Sequence, residues 1–322
     1  MRIRFHLWQN DRNCPTARQR GFHVIGELQR RGVNAAVWDH AEPCDAVIVQ
    51  RSISPEWLET LRDTAGSAAV WLDMNDDLYG PHRRHMGFDD HLLRKFDGVL
   101  ACSEWLTSKL SEHHEHVFTW PEALDPIYSR EQCAYRDDTD VLRVAWMGGT
   151  DNLRWFELSP IRWVLPEFAH RLHWVVAAPE RACRGELNIN VAKELLPGRV
   201  DFHPWRYDAV ARLMASCDCS LIALEQTEWC WSKSDNKPAS MMAMGLPVVT
   251  EDIRCYDALV RHEKTGLRCY TADDWAAAIE RMISDADLRR DLGRRGREAA
   301  RSMRSIERVT DTLLEALQWP IA

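Results

Sequence analysis

Residues 229–252 read WCWSKSDNKPASMMAMGLPVVTED: a polar, lysine-bearing segment, a short apolar run, then a β-branched run. Ser232, Ser234, Asp235 and Asn236 are cap and turn formers, so a helix is expected to open at Lys237 and Pro238, proline being favoured in a first helical turn. Gly245 is placed to end that helix in a left-handed cap, and Pro247 precedes the strand Val248 to Thr250. A helix start flanked by Lys233 and Lys237 offers backbone N–H groups and positive charge to a phosphate or diphosphate. An ordinary solvated loop before a core helix fits the same residues.

Upstream of this stretch, short apolar strands alternate with helices. Val141 to Trp146 runs directly into Met147-Gly148-Gly149-Thr150, and strands follow at His173 to Ala177, Val200 to Phe202 and Ser220 to Ala223. The same alternation occupies the first third of the chain, with strands at Ile3 to Trp8, Asn34 to Trp38, Ala46 to Gln50, Ala69 to Leu72, Gly98 to Ala101 and His116 to Thr119. A helix is expected over Thr16 to Arg31. This is the pattern of parallel sheets covered on both faces. Between the two series, residues 121–140 read PEALDPIYSREQCAYRDDTD, a proline-rich and acidic linker. The expected architecture is α/β, with a Rossmann-like domain over residues 1–135 and a second over 140–304.

A chain of 322 residues suits two such domains. Its net charge of −8 argues against coating of nucleic acid, while leaving room for a local basic pocket. The longest apolar runs fall short of a bilayer span, and MRIRFHLW at the N-terminus lacks the apolar core of a secretory signal, which suggests a cytoplasmic protein. The ten cysteines form no CxxC pair, so reduced thiols are expected. Cys217, Cys219 and Cys230 read as buried thiols rather than as a zinc site.

Ligands of open α/β sheets bind beyond the carboxyl ends of the strands. There, Gly148, Gly149 and Thr150 permit close backbone approach to a phosphate, although a plain tight turn fits them as well. For acid–base chemistry the first domain offers Asp73, Asp76, Asp77, His23 and Glu122, with Asp76 and Asp77 directly after a strand. Trp205, Trp229 and Trp231, expected in loops, could stack on a base or sugar. His82-Arg83-Arg84-His85 is basic, and His113, His114 and His116 read as a helix end rather than a metal tract.

Taken together, Val141 to Arg301 resembles the donor-binding domain of GT-B glycosyltransferases of the family 1 and family 4 group. The resemblance rests on the strand–Gly-Gly-Thr start, on VDFHPW at 200–205, on the strand Cys219 to Leu224, on KPASMMAMGLPVV at 237–249 and on HEKTG at 262–266. VLACSEWLTSKL at 99–110 and DMNDDL at 73–78 are similar to elements of the acceptor domain. The resemblance implies two Rossmann-like domains facing each other across a cleft, with a C-terminal helix over 305–322 packing back on the first. It implies a nucleotide-sugar as co-substrate, no other cofactor and no metal, an acceptor of unstated class, and retention of configuration.

By the same resemblance, Gly148, Gly149 and Thr150 approach the diphosphate or sugar, Lys233, Ser234 and Lys237 serve the diphosphate, Trp205 lies by the nucleobase and Ser240 by the ribose. Asp76, Asp77 and Lys237 are the catalytic candidates. One departure stands out: Ser232 and Ser240 occupy positions where family 4 members carry glutamates. An inactive GT-B protein that binds a nucleotide or a partner, or a nucleotide-sugar hydrolase or epimerase, is therefore the alternative reading.

Overall fold

The structure, a computed structural model, describes residues 1–39, 43–51, 54–79, 88–137, 140–181 and 187–318, with only the backbone of Thr150 and Asp151. The basic run at 82–85 lies outside the described residues. The chain divides into two compact units: Met1–Ala123 with Trp231–Ser234 and Arg304–Ala322, and Leu124–Cys230 with Asp235–Met303.

The first unit is built on a parallel sheet of β1 (Arg2–His6), β2 (Asn34–Val37), β3 (Ala46–Gln50), β4 (Ala69–Met74), β5 (Gly98–Ala101) and β6 (Val117–Thr119), in the order β2-β1-β3-β4-β5-β6. Its apolar side chains pack into two clusters, one around Val47, Val49, Leu72 and Val99, the other around Ile3, Phe5, Ile48 and Trp71. The helix Ile306–Leu317 joins the second cluster through Val309 and Leu313, and Trp120 Nε1 donates to Val309 O at 3.0 Å. Arg31 adds an ion pair to Asp311.

The expected helix over Thr16 to Arg31 is interrupted. Pro15–Ala17 is α-helical, Arg18–Phe22 forms a π turn, and His23–Arg30 resumes the α-helix. The wide turn buries the four consecutive residues Arg18, Gln19, Arg20 and Gly21, which the narrow apolar stripe of a regular helix does not do.

In the second unit β7 (Leu142–Met147), β8 (Leu172–Ala178), β9 (Arg199–Pro204), β10 (Cys219–Ile222), β11 (Val248–Glu251) and β12 (Leu267–Cys269) form another parallel sheet, ordered β12-β11-β10-β7-β8-β9. This is the Rossmann order, with the chain reversing direction across the sheet between β7 and β10. One core runs through Val144, Trp146, Trp174, Leu221, Val249 and Trp275.

The helix of the opening stretch spans Asn236–Ala243, one residue earlier than expected, with Asp235 at the N-cap. The Asp235 side chain does not cap the helix. Its C-terminus is a complete Schellman motif: Gly245 N donates to Met242 O at 2.8 Å and Leu246 N to Met241 O at 3.1 Å, with Gly245 at φ +80°. A Cβ at Gly245 would also stand 2.9 Å from the Tyr135 hydroxyl, which donates to Gly245 O. Gly245→Ala is expected to destabilise the second unit by about 1–2 kcal/mol, measurable by urea unfolding; an unchanged midpoint would show that the cap does not need glycine.

Candidate functional site

In the second unit the carboxyl ends of β7 and β10 mark the topological switch point, where open α/β sheets bind their ligands. Gly148 follows β7 at φ +149°, a conformation rarely open to other residues. A Cβ there would lie 3.4 Å from Lys237 Nζ and 3.4 Å from the Trp146 ring. The Lys237 ammonium sits 4.6 Å from the Trp146 ring centroid and 5.9 Å from that of Trp155. Two indole faces and a glycine turn thus hold one cation beside the strand end, and Thr150–Arg154 opens as a 3-10 turn from Gly149. Trp146 and Trp155 were not singled out in the sequence. Trp155 and Trp146 stand 82 and 91 positions before Lys237 along the chain, so only the fold brings the bracket together.

Ser240 is buried in the same helix, its hydroxyl 3.3 Å from Asn236 Oδ1. Trp205 follows the edge strand β9, with its N–H donating to Ala178 O at 2.8 Å and its ring tilted 6.4 Å from Tyr207. The Tyr207 hydroxyl in turn donates to Asp125 at 2.8 Å. Trp229 and Trp231, expected in a loop, belong to the short helix Glu228–Trp231. Cys217, Cys219 and Cys230 are buried, and burial pushes the Cys217 thiol up to about 12; none of the nine described cysteines is in a disulfide.

Lys233 and Ser234 belong to a different unit from Lys237. Residues 231–234 belong to the first unit, where the Cys102 thiol and Ser103 hydroxyl donate to Ser232 O at 3.4 and 3.2 Å and Trp105 meets Trp231 edge to face at 5.5 Å. Lys233 Nζ lies 3.7 Å from Asp76 Oδ1, and the Ser234 hydroxyl donates to Glu122 Oε2 at 3.2 Å. Glu122 is buried, which pushes its carboxyl up to about 7 against the pull of Arg20. Lys233 therefore pairs with a carboxylate, a partner that the reading of both lysines as one anion site did not include.

The other acidic residues divide by role. Asp73 lies within β4, fully buried and ion-paired to Arg20 at 2.6 Å, so it is a structural group. Asp77 is bound by Lys109 Nζ at 2.7 Å and accepts from Tyr79 N at 3.2 Å, the geometry of a turn residue held from both sides. Asp76, a quarter exposed, accepts from Arg51 Nη2 at 3.0 Å. His113 and His114 are engaged with Tyr79 and the Phe96 carbonyl, at 2.8 and 3.1 Å.

Residues 145–285 match the family model for glycosyl transferases group 1. Apart from residues 231–234, the matched stretch lies in the second unit. Solved structures extend the likeness to the whole chain. A glycosyltransferase from Rickettsia africae superimposes with a TM-score of 0.71 at 14% identity, covering 98% of each chain. HepE from Anabaena, in complex with UDP-glucose, gives 0.66 at 16% identity over 98% of this chain and 99% of that one. TarM from S. aureus, in a complex that includes UDP, gives 0.63 at 12% identity over 92% of this chain. The chain spans only 58% of that TarM structure's length. No curated protein matches by sequence. The two parallel sheets and these neighbours give the chain the GT-B fold. No helix among the described residues is long and apolar enough to cross a membrane.

Proposed function

We propose that the chain is a retaining glycosyltransferase that moves a sugar from a nucleotide-sugar, with UDP as the nucleotide, to an acceptor held by the first unit. The observation that carries this reading is the bracketed Lys237 ammonium beside the Gly148 turn, in a domain that matches glycosyl transferases group 1. As the glycosidic bond to the diphosphate breaks, negative charge grows on the leaving oxygen. A cation fixed in advance stabilises that charge without reorganising.

In this reading the N–H groups of the Gly148–Thr150 turn and of the Asn236–Ala243 helix share the diphosphate, and no metal is required. Ser240 lies toward the ribose and Trp205 toward the base. Asp76 orients the acceptor hydroxyl, and the departing phosphate takes its proton. With no disulfide among the described cysteines, a reducing cytoplasm suits the protein.

Lys237→Ala is expected to lower kcat/KM for the donor about 100-fold or more and to weaken UDP binding. UDP affinity unchanged in this variant, measured by calorimetry, would overturn the assignment. A second reading, nucleotide binding without transfer, draws on Ser232 and Ser240 standing buried where family 4 members carry glutamates. UDP binding without turnover of any UDP-sugar, with or without acceptors, would select it.

A further inference from the structure

Arg51 carries two costs at once. Its φ is +63°, a left-handed conformation that a bulky side chain rarely adopts. Its Nε–H is buried with no hydrogen-bond acceptor among the described residues. Backbone strain and an unmet donor at one residue are features that folds keep where a site needs them.

The position fits such a site. In the order β2-β1-β3-β4-β5-β6, the chain reverses direction across the sheet between β1 and β3, the switch point of this sheet type. Arg51 directly follows β3, and Trp8 follows β1, with the guanidinium 5.3 Å from the Trp8 ring. Asp76, two residues beyond β4, accepts from Arg51 at 3.0 Å and lies 3.7 Å from Lys233 Nζ.

One carboxylate is thus shared by two cations, and all three side chains are a fifth to a quarter exposed. The neighbouring Asp73 is paired to Arg20 at 2.6 Å, and its charge also reaches Arg51.

We propose that this corner binds an oxyanion, a carboxylate or a phosphate, carried by the sugar acceptor. The proposal rests on the transferase reading for the word acceptor, but its binding chemistry stands on Arg51, Lys233 and Asp76 alone. Asp76 occupies the cationic corner when no ligand is bound, and an incoming anion competes with it for the Arg51 fork, whose planar donors suit a two-oxygen group.

The test is a calorimetric titration of the full chain with inorganic phosphate, with glucuronate, and with glucose as the uncharged control, alongside UDP. At least one anion is expected to bind, and glucose is not. Arg51→Asn, a residue that tolerates left-handed backbone and so keeps the fold, is expected to weaken anion binding tenfold or more while leaving UDP affinity unchanged. Asp76→Asn is expected to strengthen it severalfold by neutralising the internal competitor, and Lys237→Ala to leave it unchanged, which separates this corner from the donor site.

Binding of phosphate alone identifies a phosphate ester as acceptor, and binding of glucuronate alone a sugar acid. Failure of both anions to bind, glucose binding equally well, or anion binding that survives Arg51→Asn would overturn the proposal. Loss of UDP binding with anion binding intact would instead count against the donor reading only.

Discussion

Replacing Asp73 with alanine is expected to destabilise the first unit by about 3–5 kcal/mol. Arg20 and Asp73 are both fully buried, with Arg20 Nε donating to Asp73 Oδ1 at 2.8 Å and Nη2 at 2.6 Å from the same oxygen. Arg20 Nη1 donates to Trp120 O at 2.7 Å, and the guanidinium lies 4.2 Å from the centre of the Trp120 ring. A guanidinium does not shed its proton, so removing Asp73 leaves a full charge inside the sheet–helix core without a counterion.

The loss is readable in urea unfolding followed by tryptophan fluorescence, since Trp71 and Trp120 both sit in this unit. Replacing both partners, Arg20→Met with Asp73→Leu, is expected to recover most of it, because the double change removes the charge along with its partner. A single-variant loss below about 1 kcal/mol, or a double variant no better than the single, would show that the pair does not govern the unit's stability.

This pair also marks where sequence reading stops. Alternating strands and helices, with the linker near residue 130, were enough to expect two Rossmann-like sheets, because the period of an apolar pattern reports local structure. Gly245 and Lys237 were legible for the same reason: a cap and a lysine at a helix start are local signals. An arginine inside a helical stretch, by contrast, reads as surface. Arg20 is buried only because the π turn aims it at a carboxylate 53 residues away.

Lys233 looked like a twin of Lys237 from its spacing, yet its partner is Asp76, 157 positions earlier in the chain. The aromatic bracket around Lys237 joins a strand, the start of the short helix Trp155–Leu158 and the helix Asn236–Ala243, and the strained φ of Arg51 has no signature in residue type. In each case the missing information is a long-range contact or a backbone angle set by it.

Between about pH 4.5 and 7 the second unit is expected to lose stability as pH rises, and Glu251→Gln to abolish that loss. Glu251 ends β11 with no exposed surface, and burial pushes its carboxyl from the ordinary 4.5 up to about 7, although a 2.5 Å hydrogen bond from the Ser159 hydroxyl to Oε2 acts the other way. In the folded chain the group keeps its proton over this window, while in the unfolded chain it gives the proton up. The unfolded state then binds fewer protons, so stability is fully present below the unfolded value and falls until the folded value is passed.

The interval between 4.5 and about 7 corresponds to about 3 kcal/mol. Glutamine keeps the shape and an acceptor for Ser159 but cannot ionise, so the variant should match the wild type near pH 4.5 and exceed it by about 3 kcal/mol at pH 8. Glu122 adds a similar slope to the first unit, which is why the difference between wild type and variant, measured by denaturant unfolding at each pH, is the quantity to follow. A difference that stays constant from pH 4.5 to 8 would mean that Glu251 is already ionised throughout that range, held by Ser159 and the polar groups around Gln226 rather than governed by its burial.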